Sequence, residues 1–200
     1  MEAFNRWLRE VILPIAVIVA LDLSVTVVFF AMSGATARIG TLRPVSTIPD
    51  KGVELVLVGA AVGFVACAAE RRIDLSLLTL AVAFVGLIDA DHLPSALGIA
   101  QPIRPAHTLA FLALEVVILA AAFRGRPEVP LLAVATWFGH VAGDAGEFAL
   151  FAPFSFAYSS LGDFRVLFAI VSALFALATG YVVRRRKKRI SSLVTTTQFI

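Results

Sequence analysis

Leu75-Ser-Leu-Leu-Thr-Leu-Ala-Val-Ala-Phe-Val-Gly-Leu-Ile88 carries no charge and runs directly into Asp89-Ala-Asp91-His92. The apolar run reads as a helix. The two acids then fall at its C-terminal end, where the helix dipole disfavours each negative charge by roughly 0.3 to 1 kcal/mol. Something must compensate them. Asp and His together are ligands for a borderline divalent ion such as zinc, manganese or iron, and Asp89 and His92, three residues apart, share a face if the helical turn continues.

The rest of the chain says where this helix lies. Of 200 residues 60% are hydrophobic, and mean hydropathy is +0.92, whereas soluble domains run near half apolar and interrupt their apolar runs with charge. A helix needs about 20 apolar residues to cross a bilayer. Six stretches approach or meet that length: Val11 to Met32, Val53 to Ala69, Leu75 to Ile88, His107 to Phe123, Val129 to Ala152 and Phe164 to Val183. The expected fold is therefore an all-α, polytopic membrane helical bundle of about six transmembrane helices. It forms a single integral membrane domain over 1–189, with a cytoplasmic tail over 190–200. The third stretch is short, so its polar end belongs at the interface or in a protein-lined cavity. The first is longer than a signal-peptide core and is expected to be retained.

Charge orients the bundle. The N-terminus, second loop, fourth loop and C-terminus carry 2, 2, 2 and 6 of the 17 Lys and Arg, and the first, third and fifth loops carry 3, 1 and 1. The positive-inside rule places the chain in the cell membrane, multi-pass, with both termini cytoplasmic and the Asp89–Ala106 loop on the outer side. The block Arg184 to Arg189 reads as an anchor on anionic lipid, so no nucleic-acid partner is expected. The single Cys67 excludes an intramolecular disulfide and a cysteine metal site.

All three histidines sit beside charge in apolar sequence: Asp91-His92, Arg104-Pro-Ala-His107 and His140-Val-Ala-Gly-Asp144. His140 and Asp144, four apart, would stack on one helix face as two ligands, or as a ligand and its orienting carboxylate. His107 opens the fourth stretch, where it could substitute for a cap, and Arg104 could clamp an anionic group or pair with Asp91. An ionisable pair inside a membrane helix is functional by default. The expected metal ligands are Asp89, Asp91, His92, His107, His140 and Asp144. Asp91 or Asp144 is the expected base and Arg104 the expected stabiliser of developing charge. Asp22 and Glu115 also lie inside apolar runs, as partners of a ligand histidine, structural ion pairs or relay groups. The loop from Ser33 to Lys51 could cover the site. Phe148, Phe151, Phe154, Phe156 and Tyr158 form an interfacial belt or an acyl-chain surface.

The order of these elements resembles the YdjM-like family of membrane-bound, metal-dependent hydrolases, itself similar to zinc-dependent phospholipases C. Asp89, Asp91 and His92 match its Asp-x-Asp-His, His107 matches the later histidine of its second element, and His140 with Asp144 matches its His-x-x-x-Asp. Phe151-Ala-Pro153-Phe154-Ser155 is similar to the segment that follows. The second element departs from the pattern: Pro102, Ala106 and Thr108 stand where the family has His, Thr and Ser, and Arg104 is offset by one. The resemblance spans Ile88 to about Ser155. It implies a divalent metal, most simply zinc, and hydrolysis of a phosphoester or lipid-like substrate at the outer face.

Two other enzyme classes are excluded. Type-2 phosphatidic acid phosphatases place an Arg six residues before their His-x-x-x-Asp histidine, where this chain has Val134, and intramembrane zinc proteases need His-Glu-x-x-His. The remaining rival is a metal-binding membrane protein or small ion or solute transporter, whose polar residues would line both halves of the membrane.

Overall fold

A backbone surrounded by hydrocarbon must hydrogen-bond to itself, and sequence this apolar accordingly folds as helices. The computed structural model describes residues 2–32, 48–92, 104–144, 147–148, 150–151, 159–160 and 164–197. Helix α1 (Glu2–Trp7) passes through a π-helical stretch, Leu8–Ile12, into α2 (Leu13–Met32) as one continuous rod. Then follow α3 (Ile48–Glu70), α4 (Leu75–Ile88), α5 (Leu109–Ala122), α6 (Glu128–Gly143) and α7 (Arg165–Thr197). The two-residue strands β1 (Glu147–Phe148) and β2 (Ser159–Ser160) pair antiparallel between α6 and α7. The chain is thus an all-α helical bundle.

Within it, α6 packs against α3, α4, α5 and α7, while α2 packs against α4 and α5. Residues on every side of α6 are buried, from Val129 and Leu132 to Trp137 and Val141, as expected of a helix enclosed by others. Among the described residues, three helical segments are long and apolar enough to cross a membrane: Leu8–Val28, Val53–Glu70 and Arg165–Ser192. They turn large apolar side chains outward, among them Val27, Leu57 and Val166. Helices α4, α5 and α6, with 14, 14 and 16 residues, reach only about 21 to 24 Å at 1.5 Å per residue.

Three boundaries differ from those expected from hydropathy. The fifth apolar stretch continues to Ala152, but α6 stops at Gly143: Asp144 leaves the helix with φ −70° and ψ 129°, and the chain folds back so that Leu150 O accepts from Leu109 N–H at 3.0 Å. His107 does not open α5. The cap is Thr108, whose hydroxyl accepts from Phe111 N–H at 3.1 Å, and His107 closes the preceding 3₁₀ turn Pro105–His107. The last helix continues past Val183 to Thr197 because its basic residues meet acids on the adjoining turns. Arg186 lies 2.6 Å from Glu128, and Lys187 lies 2.5 Å from Glu70 and 2.8 Å from Asp74. At that same end Pro14 lacks the N–H that would bind Glu10 O in an α-helix, and Arg126 donates to that carbonyl instead at 3.2 Å.

Two glycines set the helix spacing. A Cβ on Gly59 would stand 2.5 Å from Val82 Cα of α4, and one on Gly180 would collide with Ala66 O of α3. Small residues let backbones approach this closely. The Ser33–Lys51 cover, apart from the backbone of its last residues, and Phe154, Phe156 and Tyr158 of the aromatic belt lie outside the described residues.

Gly180→Ala should therefore lower stability by about 2 kcal/mol through overpacking, read as a fall in thermal unfolding temperature in detergent. Gly86→Ala, whose added Cβ meets nothing within 4 Å, serves as the near-neutral control. A second expectation concerns acid. Burial pushes the Asp74 carboxyl up, but the hydrogen bond and charge of Lys187, with the N–H groups of Leu77 and Ser76, hold it below its ordinary value of 3.8. The folded value lies below the unfolded one, so its contribution is complete above the ordinary value and is lost as pH falls through the folded one. Asp74→Asn should flatten the acid limb of a stability-versus-pH curve.

Candidate metal centre

Three separate pieces of chain meet at the end of the bundle where α4 and α6 finish and α5 begins. The polypeptide leaves α4 in a 3₁₀ turn, Asp89–His92, and returns in the turn Pro105–His107. The second turn is buried, so its polar backbone needs partners, and side chains supply them. Trp137 Nε1 donates to Ala106 O at 2.7 Å, and Ala106 N–H donates to Asp91 Oδ2 at 3.1 Å. Beneath lie Leu21, Ile88, Phe111, Leu112 and Val141.

Asp91 is 1% exposed and His107 is fully buried. His107 Nδ1 lies 3.1 Å from the Asp91 Oδ2 that also receives Ala106 N–H. An ionised carboxylate only accepts, so Nδ1 carries the proton and Nε2 presents its lone pair. That Nε2 lies 3.0 Å from His140 Nε2, 3.7 Å from Asp89 Oδ1 and 3.8 Å from Asp144 Oδ2. His140 Nε2 is 3.4 Å from Asp89 Oδ1. The two imidazoles meet edge to face, with ring centroids 5.0 Å apart.

Asp89, His107, His140 and Asp144 thus each direct one ligand atom inward, all within 4.8 Å of one another. Ligands about 2.0 to 2.2 Å from a tetrahedral ion stand roughly 3.3 to 3.6 Å apart, and the three separations from His107, with that between His140 and Asp89, run from 3.0 to 3.8 Å around that spacing. Two neutral imidazole lone pairs facing each other at 3.0 Å repel unless a proton or cation lies between them. The donor set of two histidines and two aspartates can hold a divalent metal ion. A pocket beside it is lined by Glu54, Leu55, Val58, Asp89, His140 and Asp144.

The other expected residues take different places. Asp91 stands behind His107 rather than within the four-residue cluster, in the position of a carboxylate that orients a metal-bound histidine. Arg104 is 43% exposed at its side chain, with Nη1 3.7 Å from Asp144 Oδ2. Asp144 is the residue after α6, and its N–H keeps the helical bond to His140 O at 2.9 Å, so the two residues stand one turn apart and both reach the cluster. His92 belongs to the first 3₁₀ turn; its side chain lies outside the described residues. Asp22 and Glu115 are both buried, and Asp22 feels the charge of Asp91 while Glu115 feels that of Asp22. Asp22 Oδ1 and Glu115 Oε2 have no hydrogen-bond partner among the described residues.

Glu54 escapes sequence reading. An acid one residue into an apolar stretch looks like an ordinary interfacial residue. It reaches the pocket only because α3 packs on α6, where a Cβ on Gly143 would stand 3.6 Å from Glu54 Oε1.

Asp91→Asn keeps the shape but removes the charge that fixes the His107 tautomer. Isothermal titration of the metal-free protein with Zn²⁺ should show affinity reduced by about 10- to 100-fold, with helicity by circular dichroism unchanged.

Compared with known proteins, the chain matches no family model, no curated protein and no solved structure, so the functional reading rests on the residues and their geometry.

Proposed function

We propose that the protein is a membrane-embedded, metal-dependent hydrolase acting on a phosphoester or lipid-like substrate at the outer face of the cell membrane. One observation carries this reading: four ligand atoms converge within 4.8 Å of one another beside a pocket, in a chain whose long helices suit a bilayer. Zinc suits the two histidines and two carboxylates best, and manganese or iron would also be accepted. A divalent ion held by these residues beside the pocket would polarise the scissile group and acidify water. The resemblance to YdjM-like hydrolases agrees with this chemistry.

The protein's own residues have separable tasks. Asp89, His107, His140 and Asp144 would hold the ion, and Asp91 would keep His107 in the tautomer that presents Nε2. Arg104, half-exposed and facing Asp144, would neutralise charge developing on a phosphate-like group. Of the two acids expected as base, Asp91 is engaged behind His107 and Asp144 faces the metal. Membrane lipid lies against the outward apolar faces of the long helices.

A second reading has its own support. Asp22 and Glu115 extend buried carboxyls from Asp91 along α2 and α5, as a proton or ion path in a small transporter would require.

Elemental analysis of purified wild type should find one divalent metal per chain, lost in His140→Ala. Assay of phosphodiester and acyl-ester substrates in mixed micelles should show turnover that a chelator abolishes and added metal restores. Metal-free wild type would sink the hydrolase. Bound metal with no hydrolysis of any ester would favour the transporter.

A further inference from the structure

Hydrolysis at this site needs a group that takes a proton from water, and the ligands cannot supply it while they hold the ion. Asp91 cannot supply it either: it is buried to 1% exposure and its Oδ2 is occupied by Ala106 N–H and His107 Nδ1. A different carboxylate stands on the pocket wall. Glu54 belongs to the first turns of α3, shares the pocket with Asp89, His140 and Asp144, and is exposed where those residues are largely enclosed. Its Oε1 reaches to Gly143, the residue before Asp144, lying 3.6 Å from where a Cβ on that glycine would be. The helix spacing that delivers it is set by the bundle. Gly139, one turn earlier on α6, lies against Val58 and Val62 of α3, and Gly143 lies against Val58.

We propose that Glu54 is the general base of the hydrolytic reaction, an assignment that rests on the hydrolase reading above. Water enters the pocket between Glu54 and the ligand cluster. Its oxygen forms the new bond to phosphorus, or to the acyl carbon of a carboxylic ester, and one of its protons passes to Glu54. The bond from that centre to the leaving alcohol oxygen breaks, and the leaving oxygen takes the proton from Glu54. Electrons and protons balance without a further reagent, and the carboxylate returns to its ionised form. Glu54 is outside the group of residues that hold the ion, so its removal separates catalysis from metal binding.

The test compares wild type with Glu54→Gln and Glu54→Asp, each loaded with Zn²⁺. E54Q should bind the same one equivalent of metal by elemental analysis. Its kcat on the preferred ester should fall by about 100-fold or more with KM little changed, and E54D should recover part of the loss. Acetohydroxamate, which binds zinc and passes a proton to a neighbouring base, supplies a reading independent of turnover. Its Kd should rise by about tenfold or more in E54Q through loss of a charge-assisted hydrogen bond. Wild-type turnover in E54Q would overturn the assignment. So would loss of metal from E54Q, which would make Glu54 a ligand. If the wild type hydrolyses no ester, the hydrolase reading fails, and acetohydroxamate then decides the placement of Glu54 alone. Equal affinity in the two proteins overturns it, and weaker binding to E54Q upholds a base poised over the metal.

Discussion

Asp91 Oδ2 accepts two hydrogen bonds, from Ala106 N–H and from His107 Nδ1, each 3.1 Å long, and the candidate metal centre depends on them. The first holds the returning turn against the end of α4. The second fixes which nitrogen of His107 carries its proton, and so points a lone pair at His140 Nε2. A carboxylate buried with such partners is stable, whereas one buried without them would cost several kcal/mol. One oxygen therefore couples the closing of the 3₁₀ turns to the chemistry of the imidazole. The four candidate ligands meet only where the bundle has already brought α4, α5 and α6 together.

The same economy explains why the site lies where it does. Irregular backbone is tolerated at membrane depth only inside protein, and among the described residues the turns Asp89–His92 and Pro105–His107 adjoin the ends of the short helices α4 and α5. Helices α4 and α5 stop at fourteen residues, and the space left beside the longer α2, α3 and α7 holds the ligands. Trp137 Nε1 and Asp91 satisfy the turn's backbone groups, and Thr108 caps α5. At the opposite end, Glu70, Asp74 and Glu128 receive Lys187 and Arg186. Those ion pairs carry α7 onward as helix through a basic block that would otherwise repel itself. The acids of the two ends have unlike partners among the described residues: basic side chains at one, and imidazoles with Arg104 at the other.

Hydropathy made the helices legible, and their existence needs little beyond the bilayer's demand for internal hydrogen bonding. Their ends were less legible. Beyond Gly143 the sequence stays apolar through Phe148, Leu150 and Phe151, and nothing local announces that Asp144 turns out of the helix or that Leu150 returns to cap the start of α5. The polar residues near the centre stood out because charge is rare in such sequence. Their roles did not, since ligand and orienting carboxylate are the same residue types. Asp89 and Asp91 are two apart, and only the path of the second 3₁₀ turn sets Asp89 among the ligand atoms and Asp91 behind His107. Glu54 offered no signal, because its meaning comes from a neighbour on α6 some ninety residues away.

By itself, then, the amino-acid sequence determined that this chain is a bundle of apolar helices and that its histidines and aspartates are too costly in that setting to be incidental. Both conclusions follow from local free energies: the transfer of apolar side chains and the penalty for unpartnered charge. Tertiary structure alone decided which oxygen faces which nitrogen, where the fifth apolar stretch stops being helix, and that Glu54 shares a pocket with Asp144. Those are distances between segments far apart in the chain. They are set by glycine-mediated helix contacts and buried hydrogen bonds, which no local pattern encodes.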